Sequence, residues 1–480
     1  MNRTAILTFA ASFILAGLSQ AQKFFPDDPL QKELPPVPVG DANYRAISGI
    51  WEGLTNRFSK PGERHPNNSV IPAMGVNTLG EPLDGAWYVH RHAKNRMTSE
   101  ELTRGPSTGG PPSQNMPWQV LRVKRHDVRP GLLIADSRNH LYLIRFDPLN
   151  RSEMSTGATM VAANAYHALG YWAPENYIVK FQRSDLKASP EGKDINAVGQ
   201  ANKLLEEDID LFFAQARADK AGTYRVVATR VPAAKILGPT SFIGTRTDDP
   251  NDLFPHEHRR ELRALSVFCA WLGQNWIGPS ATLDFLVQEN GMSFVRHYFA
   301  DFFASLGSGW QRAKEAREGN ELLYDWNHGV RNFLGFGIHS PAWQRANFPN
   351  MRGTGRFEYE TFDPRLWMPN MELAPLANAL PDDKYWAAKQ VMAFTDDDIR
   401  ALVKSGEYSD PRTVEWLSEC LIKRRDKIGR AFFYDVLPLD DFKMDDGQLT
   451  FKHLGAHYGF MPEPSYTVQW TTFDNLTGER

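Results

Sequence analysis

Asn290-Gly291 is the sharpest local constraint in this chain. Both residues tolerate positive φ, and the pair is a preferred centre for a two-residue hairpin. Residues 282–287 and 292–299 flank it with β-branched and aromatic side chains, so they are expected as two antiparallel strands. Upstream, Leu262, Leu265, Phe268, Cys269 and Leu272 recur at helical spacing. A loop over 273–280 joins that helix to the hairpin, and Asp301-Phe302 with Gly307-Ser308-Gly309 follows it. A helix, a loop, a hairpin, a lone carboxylate and a glycine segment thus arrive in series. Such a chain must mix α and β.

The rest of the sequence extends that mixture. Strands are expected over 118–124, 131–136 and 141–146, with a helix over 153–169 that Gly170 is placed to end. Further strands are expected over 177–181 and 224–231, and residues 184–220 read as charged and helical. Helices resume over 382–394, 396–405 (Thr395 suits an N-cap) and 411–433. Residues 437–480 read as β-rich, with strands at 449–451 and 466–473, and suggest a small sandwich-like appendage. The expected organisation is an extended, loop-rich region over 22–117, a β-rich lobe with one long helix over 118–231, a helical lobe with a hairpin over 232–435, and the appendage over 436–480. Five prolines between Pro26 and Pro38 keep the start of the first region extended.

The first 21 residues have a different logic. Arg3 precedes an apolar stretch from Ala5 to Leu18, and Ser19-Gln20-Ala21 offers small residues at the two positions a signal peptidase reads. This layout predicts cleavage after Ala21 and export to the periplasm or beyond. The stretch falls short of the roughly 20 apolar residues that span a bilayer, so no transmembrane span is expected in the mature chain. A formal charge of -3 gives no electrostatic reason to expect nucleic acid. The partner class left is a protein or a small molecule. The two cysteines, Cys269 and Cys420, both fall in apolar helical stretches, where two buried thiols or one long-range bridge would each fit.

Several chemistries are absent by pattern. No Walker loop, dinucleotide fingerprint or Cys-x-x-Cys occurs. His256-Glu257-His258 spaces its imidazoles two apart, which on a helix points them to different sides, so an ion network with neighbouring arginines is the plainer reading. The acidic loop Asp248–Asp252 leaves open a hydrolase of unknown type.

The element order resembles the protein kinases. Strands come first, one carrying the basic residue Arg145, then a helix, then a helical half with a loop, a hairpin and an Asp-Phe pair. The chain also resembles a family of uncharacterised exported bacterial proteins with an atypical kinase-like fold. That likeness is carried by Val76-Asn77-Thr78-Leu79-Gly80-Glu81, Ile144-Arg145-Phe146-Asp147-Pro148, Ala168-Leu169-Gly170-Tyr171, Gly244-Thr245-Arg246, Asp248-Asp249-Pro250-Asn251-Asp252, His256-Glu257-His258-Arg259-Arg260-Glu261-Leu262-Arg263 and His297-Tyr298-Phe299-Ala300-Asp301-Phe302.

The resemblance implies an α+β, two-lobed kinase-like body. It implies Arg145 and Glu153 as nucleotide-binding residues, Asp301 as the catalytic position, and Asp301 with Asp284 as metal ligands. Mg²⁺ and ATP are the cofactors of such a cleft if it functions. The sequence departs from the pattern at the positions that do chemistry. Arg145 stands for Lys, Thr159 for the helix Glu (with Glu153 nearby as a substitute), Asn275 or Trp276 for the base, and Ala281 for the metal-binding Asn. Neither Asn nor Trp accepts a proton as a carboxylate does. The expectation is a catalytically degraded, pseudokinase-like binding or scaffold protein of the cell envelope. The alternative is an active, atypical phosphotransferase or nucleotidyltransferase.

Overall fold

Side-chain alternation fixes the first lobe. The computed structural model describes residues 30–124, 130–196, 199–309, 311–323, 341–474 and 479, so the expected leader and its cleavage point lie outside the described residues. After an extended lead come α1 (Gly49–Phe58), capped by the Ser48 hydroxyl, and α2 (Ser99–Arg104), closed by a Thr98–Glu101 capping box. The strands β1 (Trp118–Lys124), β2 (Gly131–Ala135) and β3 (Leu141–Phe146) form an antiparallel meander. Val120, Ile134, Tyr142 and Ile144 point to one face and are fully buried there.

Helix α3 (Met154–Leu169) follows, then β4 (Asn176–Gln182), β5 (Leu186–Ile195), β6 (Ala201–Lys203), α4 (Glu206–Phe213) and β7 (Thr223–Arg230). The seven strands order as β4-β7-β3-β2-β1-β5-β6. Ile209, Phe212 and Phe213 of α4 close the apolar face of this sheet.

The charged segment expected as helix over 184–220 holds more strand than helix, in β5 and β6. β5 pairs in parallel with β1, the register jumps from Val120↔Ala188 to Arg122↔Lys193, and Pro190 falls in the resulting bulge. A proline is tolerated there because no ladder bond is asked of it. Among the described residues of that stretch, α4 is the α-helix.

The joint between the lobes is α3. Nearly every one of its residues is buried, as its Ala-rich, charge-free sequence requires. One side enters the large core of the second lobe, and Met160 meets Val227 of the sheet and Phe303. Asp147 starts it, accepting the backbone N–H groups of Ser155 and Thr156 at 2.8 Å each. Gly170 ends it in a left-handed conformation, φ 119°.

The second lobe opens with β8 (Lys235–Gly238), α5 (Arg260–Arg263) and α6 (Leu265–Leu272), so the single long helix expected here is broken at Ala264. β9 (Thr282–Glu289) and β10 (Met292–Phe299) form the hairpin, and Asn290 and Gly291 both have positive φ. β8 adds to its edge to make a three-stranded sheet. Then come α7 (Ala374–Ala377), α8 (Pro381–Met392), α9 (Asp396–Lys404, capped by Thr395) and α10 (Pro411–Phe433). Their apolar sides join α6 in one core around Trp271, Trp386, Leu402 and Phe433.

The C-terminal part is a two-stranded ribbon, β11 (Leu439–Asp445) and β12 (Gln448–His453), followed by the short helix α11 (Leu454–His457). No strand forms over 466–473, so the expected sandwich is not built. Val468 is 51% exposed and Trp470 67%, and without a partner strand their alternation has nothing to pair with. Cys269 and Cys420 are buried free thiols. No helix among the described residues is long and apolar enough to cross a membrane.

Candidate functional site between the lobes

The face of the sheet opposite α4 looks toward the second lobe. The two-residue period that buries Tyr142 and Ile144 sends Leu141, Leu143 and Arg145 to this other side. Leu133 lies beside Leu143 and Arg122 beside Leu133. These residues form one wall of a cleft of about 740 Å³. Trp276, Pro279 and Leu283 from the second lobe, with Ile50 from α1, face them. The cleft is mostly apolar, with cationic side chains from β1 and β3 at its edge.

Asp301 meets Arg145 beside this cleft. Arg145 Nη1 and Asp301 Oδ1 are 3.7 Å apart, and the guanidinium lies 5.2 Å from the Phe303 ring centre. The Asp301 seat is built by its own neighbours. Its Oδ1 accepts the Phe303 N–H at 3.2 Å, its carbonyl accepts Gln274 Nε2 at 2.9 Å, and Ala300 N–H donates to Ala281 O at 2.8 Å. The loop before the hairpin and the chain after it are therefore tied together.

The loop itself carries no proton acceptor of the expected kind. Asn275 is buried and donates its amide to Asn370 Oδ1 at 2.6 Å, while its carbonyl accepts Asn370 N–H. Trp276 lines the cleft with its ring. Ala281 is buried and has no ligand atom. Thr159 turns its hydroxyl back to Ser155 O, within its own helix.

Two expected site residues lie elsewhere. Glu153 does not pair with Arg145: its carboxylate accepts Ser409 N–H at 2.9 Å, because Glu153 sits in a left-handed turn ahead of α3. Asp284 is buried in a separate network, accepting from Thr240 Oγ1, 2.7 Å from His297 Nδ1 and 3.2 Å from Arg246. Burial pushes its pKa up, but His297, Thr240 and Arg246 outweigh that and hold it below the usual carboxylate range. With both its oxygens engaged, Asp284 is a structural anion rather than a second metal ligand beside Asp301.

The same network consumes the acidic loop. Asp248 pairs with Arg246 at 2.9 Å, Asp249 accepts Asn251 N–H, and Asp252 holds His256 at 2.6 Å and Arg259 at 3.5 Å. Glu257 accepts the N–H groups of Glu63 and Gly244. These bonds engage His256 and Glu257, while His258 Nδ1 lies 3.1 Å from Arg263 Nη2.

Lys314 was not singled out by sequence. Its buried ammonium donates to the carbonyls of Gly273 and Ala304, joining the end of α6 to the segment after Asp301. Only the folded backbone brings those two carbonyls together, and no sequence spacing announces it. Arg122 and Ile50 were missed for the same reason.

No family model and no curated protein matches the chain. Among solved structures, it is similar to the Helicobacter pylori proinflammatory kinase CtkA, with 10% identity over 68% of this chain and 94% of that one and a TM-score of 0.32. It is also similar to the Golgi casein kinase, with 9% identity over 85% and 96% of the two chains and a TM-score of 0.33. A Golgi casein kinase structure with Mn/ADP bound gives 7% identity over 68% and 74%, with a TM-score of 0.30. All three neighbours are kinases. The identities and scores are too low to carry any residue's role across.

Proposed function

We propose that this chain is an exported, kinase-like protein of the cell envelope that binds a nucleotide or a similar small ligand between its lobes without efficient phosphoryl transfer. The observation behind this reading is the Arg145–Asp301 pair at the cleft, with Asn275, Trp276 and Ala281 where a base and a metal ligand are needed. A guanidinium can hold a phosphate and a single carboxylate can hold one metal ion weakly. Transfer also needs the acceptor hydroxyl to lose its proton, and the loop over 273–280 offers no carboxylate for that step. Arg145 and Asp301 would then orient a bound ligand, and the apolar wall of Leu133, Leu143 and Leu283 would cover its base. Export rests on the leader sequence, and the resemblance to exported bacterial proteins supports it.

The test is thermal unfolding of the mature chain with ATP, ADP or adenosine, with and without Mg²⁺. A ligand that binds only the folded state at a hundred times its Kd adds about 2.7 kcal/mol, a rise of a few degrees. That rise should vanish in Leu133→Arg and shrink in Arg145→Ala. No rise with any nucleotide would sink the binding reading. Phosphate transfer from ATP that Asp301→Ala abolishes would replace it with the active transferase.

A further inference from the structure

Arg145 also lines a second cleft, of about 760 Å³, at the outer end of β3. Arg145, Arg151 and Arg312 bring three guanidinium groups to its wall, and Asn150, Gln215 and Gln311 bring three amides. Among the described lining residues the carboxylate is Asp147, already engaged with Ser155 N–H, Thr156 N–H and Thr156 Oγ1, and with Arg225 at 3.4 Å. Arg312 is offset by Glu318 at 2.8 Å and Glu315 at 3.4 Å, and Arg145 by Asp301. Arg151 donates to the Met351 carbonyl at 2.8 Å and makes no ion pair among the described residues. The Arg151 guanidinium is thus left without a carboxylate partner at the wall of a concave site rich in neutral donors, with Phe212 and Phe303 as an apolar side.

We propose that this second cleft binds a phosphorylated small molecule, its phosphate or pyrophosphate group held by Arg151 and Arg312. The planar fork of a guanidinium presents paired donors that match phosphate oxygens. The amides extend that set without adding charge. The inference goes beyond the nucleotide reading and does not need it, since the groups that hold the anion are not those that would cover a base. Because Arg145 borders both clefts, a ligand in one changes the field in the other, and any such coupling is reciprocal.

Titration calorimetry with inorganic pyrophosphate at constant ionic strength tests it, with sulfate and chloride as controls. Pyrophosphate is expected to bind the mature protein, and Arg312→Glu and Gln215→Glu are each expected to weaken it at least tenfold. Both side chains stand at the exposed rim, and unfolding midpoints without ligand check that both variants fold. If Arg312→Glu is destabilised by losing its Glu partners, Gln215→Glu still decides. Adenosine, which has no phosphate, is expected not to displace pyrophosphate. Absence of binding to the wild type, binding unaltered in both variants, or full displacement by adenosine would each overturn the proposal. A protein that binds pyrophosphate here but no nucleoside fails the earlier reading and leaves this one standing.

Discussion

Arg145 and Asp301 form an ion pair 3.7 Å long between residues from different lobes, and their side chains are only 13% and 6% exposed. One is placed by the alternation of β3, the other by the chain leaving β10. Neither charge has much water left around it. Removing one member of a buried pair strands the other, whereas replacing both with apolar groups need not. Arg145→Met and Asp301→Leu are therefore each expected to destabilise the fold by about 3 kcal/mol, and the double change Arg145→Met with Asp301→Leu by clearly less than their sum. Unfolding midpoints of the two single variants and the double variant give the coupling. Simple additivity would show that the pair is not felt.

Asp147 governs the start of α3. Asp147→Ala leaves the Ser155 and Thr156 N–H groups without their acceptor and removes the partner of Arg225. Loss of a cap costs about 1–2 kcal/mol, and the ion pair adds to it. Amide hydrogen exchange at residues 155 and 156 should quicken in this variant. Unchanged protection there would mean that packing alone holds the first turn.

Lys314 should give stability a distinctive pH dependence. Burial, with Arg424 adding repulsion, lowers its pKa from 10.5 to about 7 despite the nearby Glu318. Between these values the unfolded chain binds a proton that the folded chain does not, so this group's contribution makes stability rise as pH climbs from about 7 toward 10. Lys314→Met removes the titration, and the wild type should gain on the variant across that window. Parallel stability curves for the two proteins would exclude it.

Cys269 and Cys420 should be chemically silent in the native state. Burial pushes the Cys269 thiol up to about 12 and the Cys420 thiol higher still, so neither forms a thiolate at neutral pH. A chromogenic disulfide reagent should label neither in the folded protein and both in denaturant. Reductant should leave the unfolding midpoint where it was. A midpoint lowered by reductant would instead reveal a bridge.

Where local rules were strong, the chain could be read directly. The bounds of β1, β3, β10 and α10 follow from alternation, helical spacing and the Asn290-Gly291 turn. Thr395 and Gly170 cap the helices they were expected to cap. Over 184–220 the local signal was charge, and charge suits a solvated helix face and an exposed strand equally well. Pro190 and Gly192, both poor in a helix interior, fall at the β5 bulge. Over 466–473 the alternation was present but no neighbouring strand was, and a strand without a ladder partner gains little.

The sequence by itself determined the hairpin, the first three strands and the long helices, and that Asn275, Trp276 and Ala281 occupy the loop ahead of the hairpin. Those are matters of side-chain chemistry and short-range backbone preference. Only the tertiary structure decided that Arg145 faces Asp301, that Asp284 belongs to the His297 and Arg246 network, that Glu153 turns to Ser409, and that Lys314 joins two loops. Each of those depends on bringing distant segments together, and burial of apolar side chains such as those of α3 drives that association.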